Sequence, residues 1–352
     1  MRAVVMRAFG EPDVLRVEKV PRPSPRPGEA LVQVAAVEVS RTRDIATRTG
    51  THPFSKKIAF PHVLGGDFTG VVEDVGAGVD RALVGQRVAV RSTRNCRECP
   101  ACRAGRQHQC TDIQMLGIEL WGSYAEFVCA PAYNLYPLPD KIDMAEAAAL
   151  AATGPVALAQ LRAAAVDHNS TVLITGITGA LGTTVAALAS KLSARVLGLT
   201  RRPQAVLPAL NVTALDMARD DLAQALLETT YGMGVTTVID NVADAATFDR
   251  YFPALARGAR IVISGAISSA QPPILRVPAD ILYLRSIALL GVRTACTSIV
   301  QEFWNLVGEH DFRLPQGVVH EAPLEAVAHV HADMTAGRIA GHVVLRVSEV
   351  GR

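Results

Sequence analysis

The chain lacks a run of one charge sign and an unbroken hydrophobic stretch of membrane length, and its opening residues do not read as an apolar leader. Each lack removes a class of protein. Lysine and arginine total 35 against 33 acidic residues, a net charge of +2. Without a basic run there is no electrostatic footprint for nucleic acid. The opening residues, MRAVVMRAFG, hold no apolar core of the kind a secretory leader needs. The alanine-rich stretch from Met144 to Val166 is broken by Gly154, Pro155 and Arg162, which disfavours a membrane span. No internal repeat and no low-complexity tract is present. What remains is a chain of 352 residues, 49% apolar, too long for one ordinary core and suited to two domains.

Four of the six cysteines crowd into one segment: Cys96, Cys99, Cys102 and Cys110, spaced C-x2-C-x2-C-x7-C. Thiolates at such intervals converge on one tetrahedral zinc, and four sulfur ligands leave no open position for chemistry. The expectation is one structural zinc per chain. Disulfides or free thiols are the other arrangements these residues allow. Cys129 and Cys296 stand apart and read as buried small apolar residues. This cysteine usage points to a reducing cytoplasm. The expected partner is a small-molecule substrate, with neither nucleic acid nor membrane involved.

The first 130 residues alternate short β-rich runs with proline and glycine turns. Ala30 to Val37, Gly70 to Val75 and Arg87 to Val90 read as strands. Met144 to Val166 reads as a helix. From Thr171 to about Gly265, TVLIT, ARVLGLT, TTVID and ARIVISG alternate with amphipathic segments. That alternation predicts an α/β fold with a parallel, doubly wound sheet. The chain ends in a strand-like run, His342 to Val347.

The strand Thr171 to Thr175 runs into Gly176, Ile177, Thr178, Gly179, Ala180, Leu181 and Gly182, and a helical pattern follows. Glycines there allow a tight turn and close approach of backbone to a pyrophosphate, which the helix N-terminus attracts. A plain βα turn is the alternative. The second strand, Arg195 to Leu199, ends in Thr200, Arg201 and Arg202, with no acidic residue. NAD sites place a carboxylate there for the ribose 2′-OH, whereas guanidinium groups suit a 2′-phosphate. NADP(H) is therefore expected over NAD(H), unless these arginines merely dress a solvated loop.

The cysteine lobe, FPHVLGGDFTGVVEDVG (Phe60 to Gly76), GSYAEF (Gly122 to Phe127), the glycine loop and ARIVISGA (Ala259 to Ala266) together resemble the medium-chain dehydrogenase/reductase superfamily. The resemblance implies a GroES-like β domain over 1–130, a Rossmann domain over 131–275, and a segment, 276–352, that returns to the first. It implies cofactor contacts at Thr153, Asn241, Val242, Gly265, Ala266, Gly291 and Val292, with Trp121 and His52 as weaker pocket candidates. It also implies a homodimer or homotetramer.

The zinc alcohol dehydrogenases of that superfamily hold a second, catalytic zinc through a Cys three residues before an Asp, a His in G-H-E, and a later Cys. Counting back from Asp44, the Cys position here is Arg41. The G-H-E motif has become Gly65-Gly66-Asp67, and Ala149 to Gly154 holds no Cys or His. The expectation is that the catalytic ion is gone and the structural one kept. Direct alcohol–ketone exchange then loses its Lewis acid. Members without that ion reduce activated C=C bonds or quinones, with hydrogen bonds stabilising the oxygen where charge develops. Arg41 is expected to project into the vacated site, or to form an ion pair with Asp44 or Asp67; Asp44 and Thr153 complete the catalytic candidates. The alternatives are a metal-free carbonyl or alcohol oxidoreductase, and a nucleotide-binding protein without catalysis.

Overall fold

The computed structural model describes residues 1–203, 208–265 and 274–350. The chain divides into two compact units. The first comprises Met1–Ala152, Cys296–Arg313 and Val319–Arg352; the second comprises Thr153–Ala295 and Leu314–Val318.

The strand Glu29–Glu38 centres the first unit. Its sequence is an almost unbroken apolar run, and nearly every residue in it is buried, as a strand covered on both faces requires. Along one edge it pairs antiparallel with Phe68–Val75. Along the other it pairs with Phe127–Pro131 through its first half and with the C-terminal strand His342–Arg346 through its last residues. That second pairing sets Val344 opposite Glu38. A separate antiparallel pair, Thr93–Asn95 with Ile113–Met115, flanks the cysteine segment and forms the base of a small lobe.

The second unit is built on six parallel strands. Across the sheet they run Thr213–Asp216, Arg195–Thr200, Thr171–Thr175, Val235–Asp240, Leu255–Ile263 and Ala288–Gly291. Numbered within the unit, that order is 3-2-1-4-5-6, the dinucleotide-binding order whose direction reverses beside the first strand. Leu173, Leu197, Val238, Ile261 and Phe248 pack one core at zero exposure. Burying each such side chain contributes on the order of 1.5–3 kcal/mol.

The helix Met144–Ala163 stops three residues short of its apolar run. Ala165 adopts φ +53°, and Val166 and Ala165 donate back to the carbonyls of Leu161 and Arg162. This pattern closes a helix through a left-handed residue. Among the described residues it is the one helix long and apolar enough to cross a membrane, and most of it is buried inside the protein, as in a core helix.

Candidate functional site

The cofactor candidates of the second unit gather at the C-terminal ends of its parallel strands. Gly176 takes φ +65° immediately after the first strand, a conformation that suits glycine. A Cβ on Gly182 would fall on the Gly176 carbonyl, so the helix Ala180–Lys191 packs against its own entry turn. Gly179 is different. A Cβ there would meet one atom, the Gly176 oxygen, at 3.4 Å. Packing does not demand glycine at 179, which leaves the space open for a ligand phosphate. Among the described residues no side chain caps the helix that starts there, so its first N–H groups and the positive end of its dipole remain for an anion.

The next strand ends in Thr200, buried, with its hydroxyl 3.4 Å from that of Thr178. Arg201 and Arg202 follow and are exposed. After the fourth strand, buried Asp240 ties the turn together. Its Oδ1 accepts from Thr175 Oγ1 at 2.6 Å, Val242 N at 3.1 Å and Ala243 N at 2.8 Å, and its Oδ2 from Tyr251 at 2.9 Å. Burial, and then Asp240, raise the Tyr251 pKa. Asn241 donates its backbone N–H to Thr175 Oγ1 and accepts from Gln160 Nε2 at 2.8 Å. A Cβ on Gly265 would fall on the Asn241 carbonyl, so these two turns touch. Val292 donates to Ile263 at 3.0 Å, beside Gly291. Thr153 is buried and accepts from Thr184 at 3.2 Å, on the helix after the glycine loop. The structure thus brings these candidates to one edge; Ala266 lies outside the described residues.

All six cysteines of the chain are free, and four of them lie in the lobe of the first unit. The four sulfurs of Cys96, Cys99, Cys102 and Cys110 lie within 4.8 Å of one another. Cys96 Sγ stands 4.0 Å from Cys102 Sγ and 3.5 Å from Cys110 Sγ. A tetrahedron with Zn–S of about 2.3 Å needs sulfurs about 3.8 Å apart. Backbone N–H groups of Cys99 and Cys102 donate to Cys96 and Cys99 sulfurs at 3.4 Å. The bond from Cys102 N–H lowers the Cys99 thiol to about 6, toward the thiolate that binds metal. The donor set fits zinc. Cys129 and Cys296 are only half-buried, not the buried residues the sequence suggested.

The expected metal-free site differs in its central residue. Arg41 is exposed, and its Nη2 donates to the Met334 carbonyl. Arg43 takes the place foreseen for it. Arg43 Nε donates to Asp44 Oδ1 at 3.2 Å, and Nη1 to Asp67 Oδ2 at 2.9 Å. A Cβ on Gly66 would fall on Arg43 Cζ and Nη1. The guanidinium therefore fills the space that a histidine at 66 would need. The cause is backbone geometry: Arg41–Ile45 is a π turn, with Ile45 and Ala46 donating to carbonyls five residues back. This wider turn shifts which side chain faces inward. Such turns are often found at functional sites.

Every partner of Arg43 is itself held. Asp44 is fully buried and accepts from Ser40 N at 2.7 Å and from Tyr124 at 3.2 Å. Asp67 accepts from Ser92 N at 3.0 Å and Ser92 Oγ at 2.9 Å. Burial works against the Arg43 charge, but Asp44 and Asp67 more than offset it, and its pKa is raised. Tyr124 also contacts His331 Nε2 at 3.2 Å. Burial lifts the Tyr124 pKa well above the usual range and pushes His331 down to about 4. Glu38, where the central strand leads into this turn, meets His342 Nδ1 at 2.6 Å, and burial raises its pKa. Arg43, His331, Glu38 and His342 carry no functional signal in the sequence, apart from the R-T-R-D tetrad at 41–44 that contains the first.

Residues 26–140 match the alcohol dehydrogenase GroES-like domain family, and residues 180–309 match the zinc-binding dehydrogenase family. An alcohol dehydrogenase of Geobacillus stearothermophilus is 28% identical over 351 residues, covering 99% of this chain and all of the relative. An NAD-dependent alcohol dehydrogenase of Sulfurisphaera tokodaii is 29% identical, covering 83% of this chain and 84% of the relative. Among solved structures, an NAD-dependent alcohol dehydrogenase is 32% identical with a TM-score of 0.89, covering 99% of this chain and all of that one. The structure of AibC is 30% identical with a TM-score of 0.87, covering 99% and 96%.

Proposed function

The chain belongs to the medium-chain dehydrogenase/reductase superfamily, and from that premise we propose that it is an NADPH-dependent reductase of an activated C=C bond or a quinone, working without a catalytic zinc. The observation that carries this reading is the guanidinium of Arg43, clamped between Asp44 and Asp67 over Gly66. A cation held by two buried carboxylates is rigid, and it fills the volume of the lost ligand. It offers fixed N–H groups in place of a Lewis acid, which suits an oxygen that gains charge while hydride adds to a remote carbon.

The bound nicotinamide would supply the hydride. The residues that would hold it are the turn Gly176 to Gly182, Asn241, Val242, Gly265, Gly291 and Val292, with Thr153 beside the helix of that turn. The exposed Arg201 and Arg202 favour the 2′-phosphate of NADPH. Six free cysteines and a four-sulfur zinc site suit a reducing cytoplasm. A homodimer suits the outer strand Ala288–Gly291 and the helix Ala279–Arg285, which expose Leu289, Tyr283 and Leu284 at 44%, 82% and 65%.

The names of the relatives favour a second reading, a carbonyl or alcohol oxidoreductase. One screen separates the two. NADPH absorbance is followed with enones, quinones and aldehydes, and the reverse reaction is run with alcohols and NADP. Turnover of enones or quinones supports the reductase. Turnover confined to alcohols and aldehydes overturns it, and tight NADPH binding with no turnover points to a nucleotide-binding protein.

A further inference from the structure

We infer that the Arg43 site selects acceptors whose oxygen belongs to a neutral carbonyl, such as a ketone, quinone, ester or thioester, and rejects free carboxylates. The inference rests on the reading of Arg43 as the group that meets the substrate oxygen.

An isolated arginine prefers a carboxylate, because its planar fork offers two parallel N–H donors on one edge. On Arg43 a carboxylate already engages one nitrogen of each such edge. The side edge joins Nε and Nη2, and Nε is bonded to Asp44 Oδ1. The end edge joins Nη1 and Nη2, and Nη1 already donates one N–H to Asp67 Oδ2, so a carboxylate on that edge would share Nη1 with a second negative group. Among the described residues Nη2 alone carries no carboxylate, and the side chain keeps 14% exposure. What remains clear of both carboxylates is Nη2, enough for one carbonyl oxygen.

Charge argues the same way. One guanidinium faces two carboxylates, Asp44 and Asp67, so acidic groups outnumber the cation they hold. Neither carboxylate is available to move aside. Ser40 N and Tyr124 hold Asp44, and Ser92 holds Asp67 through both its N–H and its hydroxyl. An incoming carboxylate would be repelled by the cluster and would lose its water for one hydrogen bond. A neutral carbonyl meets no such repulsion, and the charge it develops is partial and appears only in the transition state.

The test compares a 2-enoic acid with its methyl ester and its thioester on the zinc-loaded protein with NADPH. The expected result is a kcat/KM for the esters about 100-fold or more above the acid at neutral pH, with the acid gaining about tenfold per pH unit as pH falls, tracking its neutral fraction. Asp67→Asn removes one negative charge while its amide oxygen can still accept from Nη1, so it should shrink the ester preference about tenfold or more while NADPH affinity holds. Equal use of acid and ester by the wild type overturns the inference, as does an unchanged preference in a folded Asp67→Asn. If that variant does not fold, the acid's pH profile in the wild type decides. Ligand binding read through NADPH fluorescence reports the preference even where turnover is slow, and binding of neither class overturns it. The underlying role of Arg43 fails separately, if Arg43→Met leaves ester turnover intact.

Discussion

Arg43 and Gly66 share one volume: the guanidinium lies where the first side-chain carbon of any other residue at 66 would stand. The absence of a side chain at 66 is thus a packing requirement as well as a lost ligand. Gly66→Ala should push Arg43 out and leave Asp44 and Asp67 buried without their cation. Breaking a buried pair in this way costs about 3–5 kcal/mol. Urea unfolding should report that loss, and turnover should fall with it. An alanine variant as stable as the parent would contradict the geometry.

The paired substitutions Arg43→Met and Arg41→Met separate the two arginines. Removing one preorganised donor to a developing oxyanion costs about 10²–10³ in rate. Arg43→Met should lose that much in kcat/KM and keep NADPH affinity. Arg41 is exposed and bonds a backbone carbonyl, so Arg41→Met should stay within about threefold, the usual reach of a surface change. The reverse ranking would return the role to Arg41.

The sequence made the scaffold legible because its signals are local. The apolar run in Glu29–Glu38, the glycines from Gly176 and the spacing of Cys96 to Cys110 each act over a few residues. The candidate site was legible only in what it had lost. The spacing of Asp44 pointed to Arg41, because a π turn leaves no mark in residue type or period. The partners of the turn are also remote. Tyr124 meets His331 across 207 positions, and Glu38 meets His342 across 304, separations no local pattern encodes. The helix end at Ala165 was missed because alanine seldom adopts the left-handed conformation found there.

Metal analysis should find one zinc per chain, held by the four-cysteine lobe. Cys110→Ser should lower zinc content and loosen the lobe, seen as a lower Tm and faster proteolysis within residues 91–115. Zinc binding supplies folding free energy to such lobes. A second equivalent of zinc that supports alcohol oxidation would contradict a site filled by Arg43.

Cofactor choice turns on Arg201 and Arg202. A hydrogen bond to a charged group contributes about 1.5–3 kcal/mol, which is roughly 10- to 100-fold in affinity. Arg201→Ala with Arg202→Ala should weaken NADPH binding by that range and leave NADH nearly unchanged. Equal losses for both nucleotides would mean that the arginines do not read the 2′-phosphate.

His331 gives the protein an acid-side weakness. Burial holds its folded pKa near 4, below the ordinary value of 6.5. Between these values the unfolded chain binds a proton that the folded chain does not, so stability rises with pH across that window. The contribution is complete above about 6.5 and drains away as pH falls toward 4, at up to about 1.4 kcal/mol per pH unit. His331→Gln keeps an N–H donor within reach of Tyr124 but cannot titrate. Urea unfolding at several pH values should therefore give a shallower slope for the glutamine variant than for the parent between pH 6.5 and 4. Identical slopes would place the acid sensitivity elsewhere and remove His331 from the account.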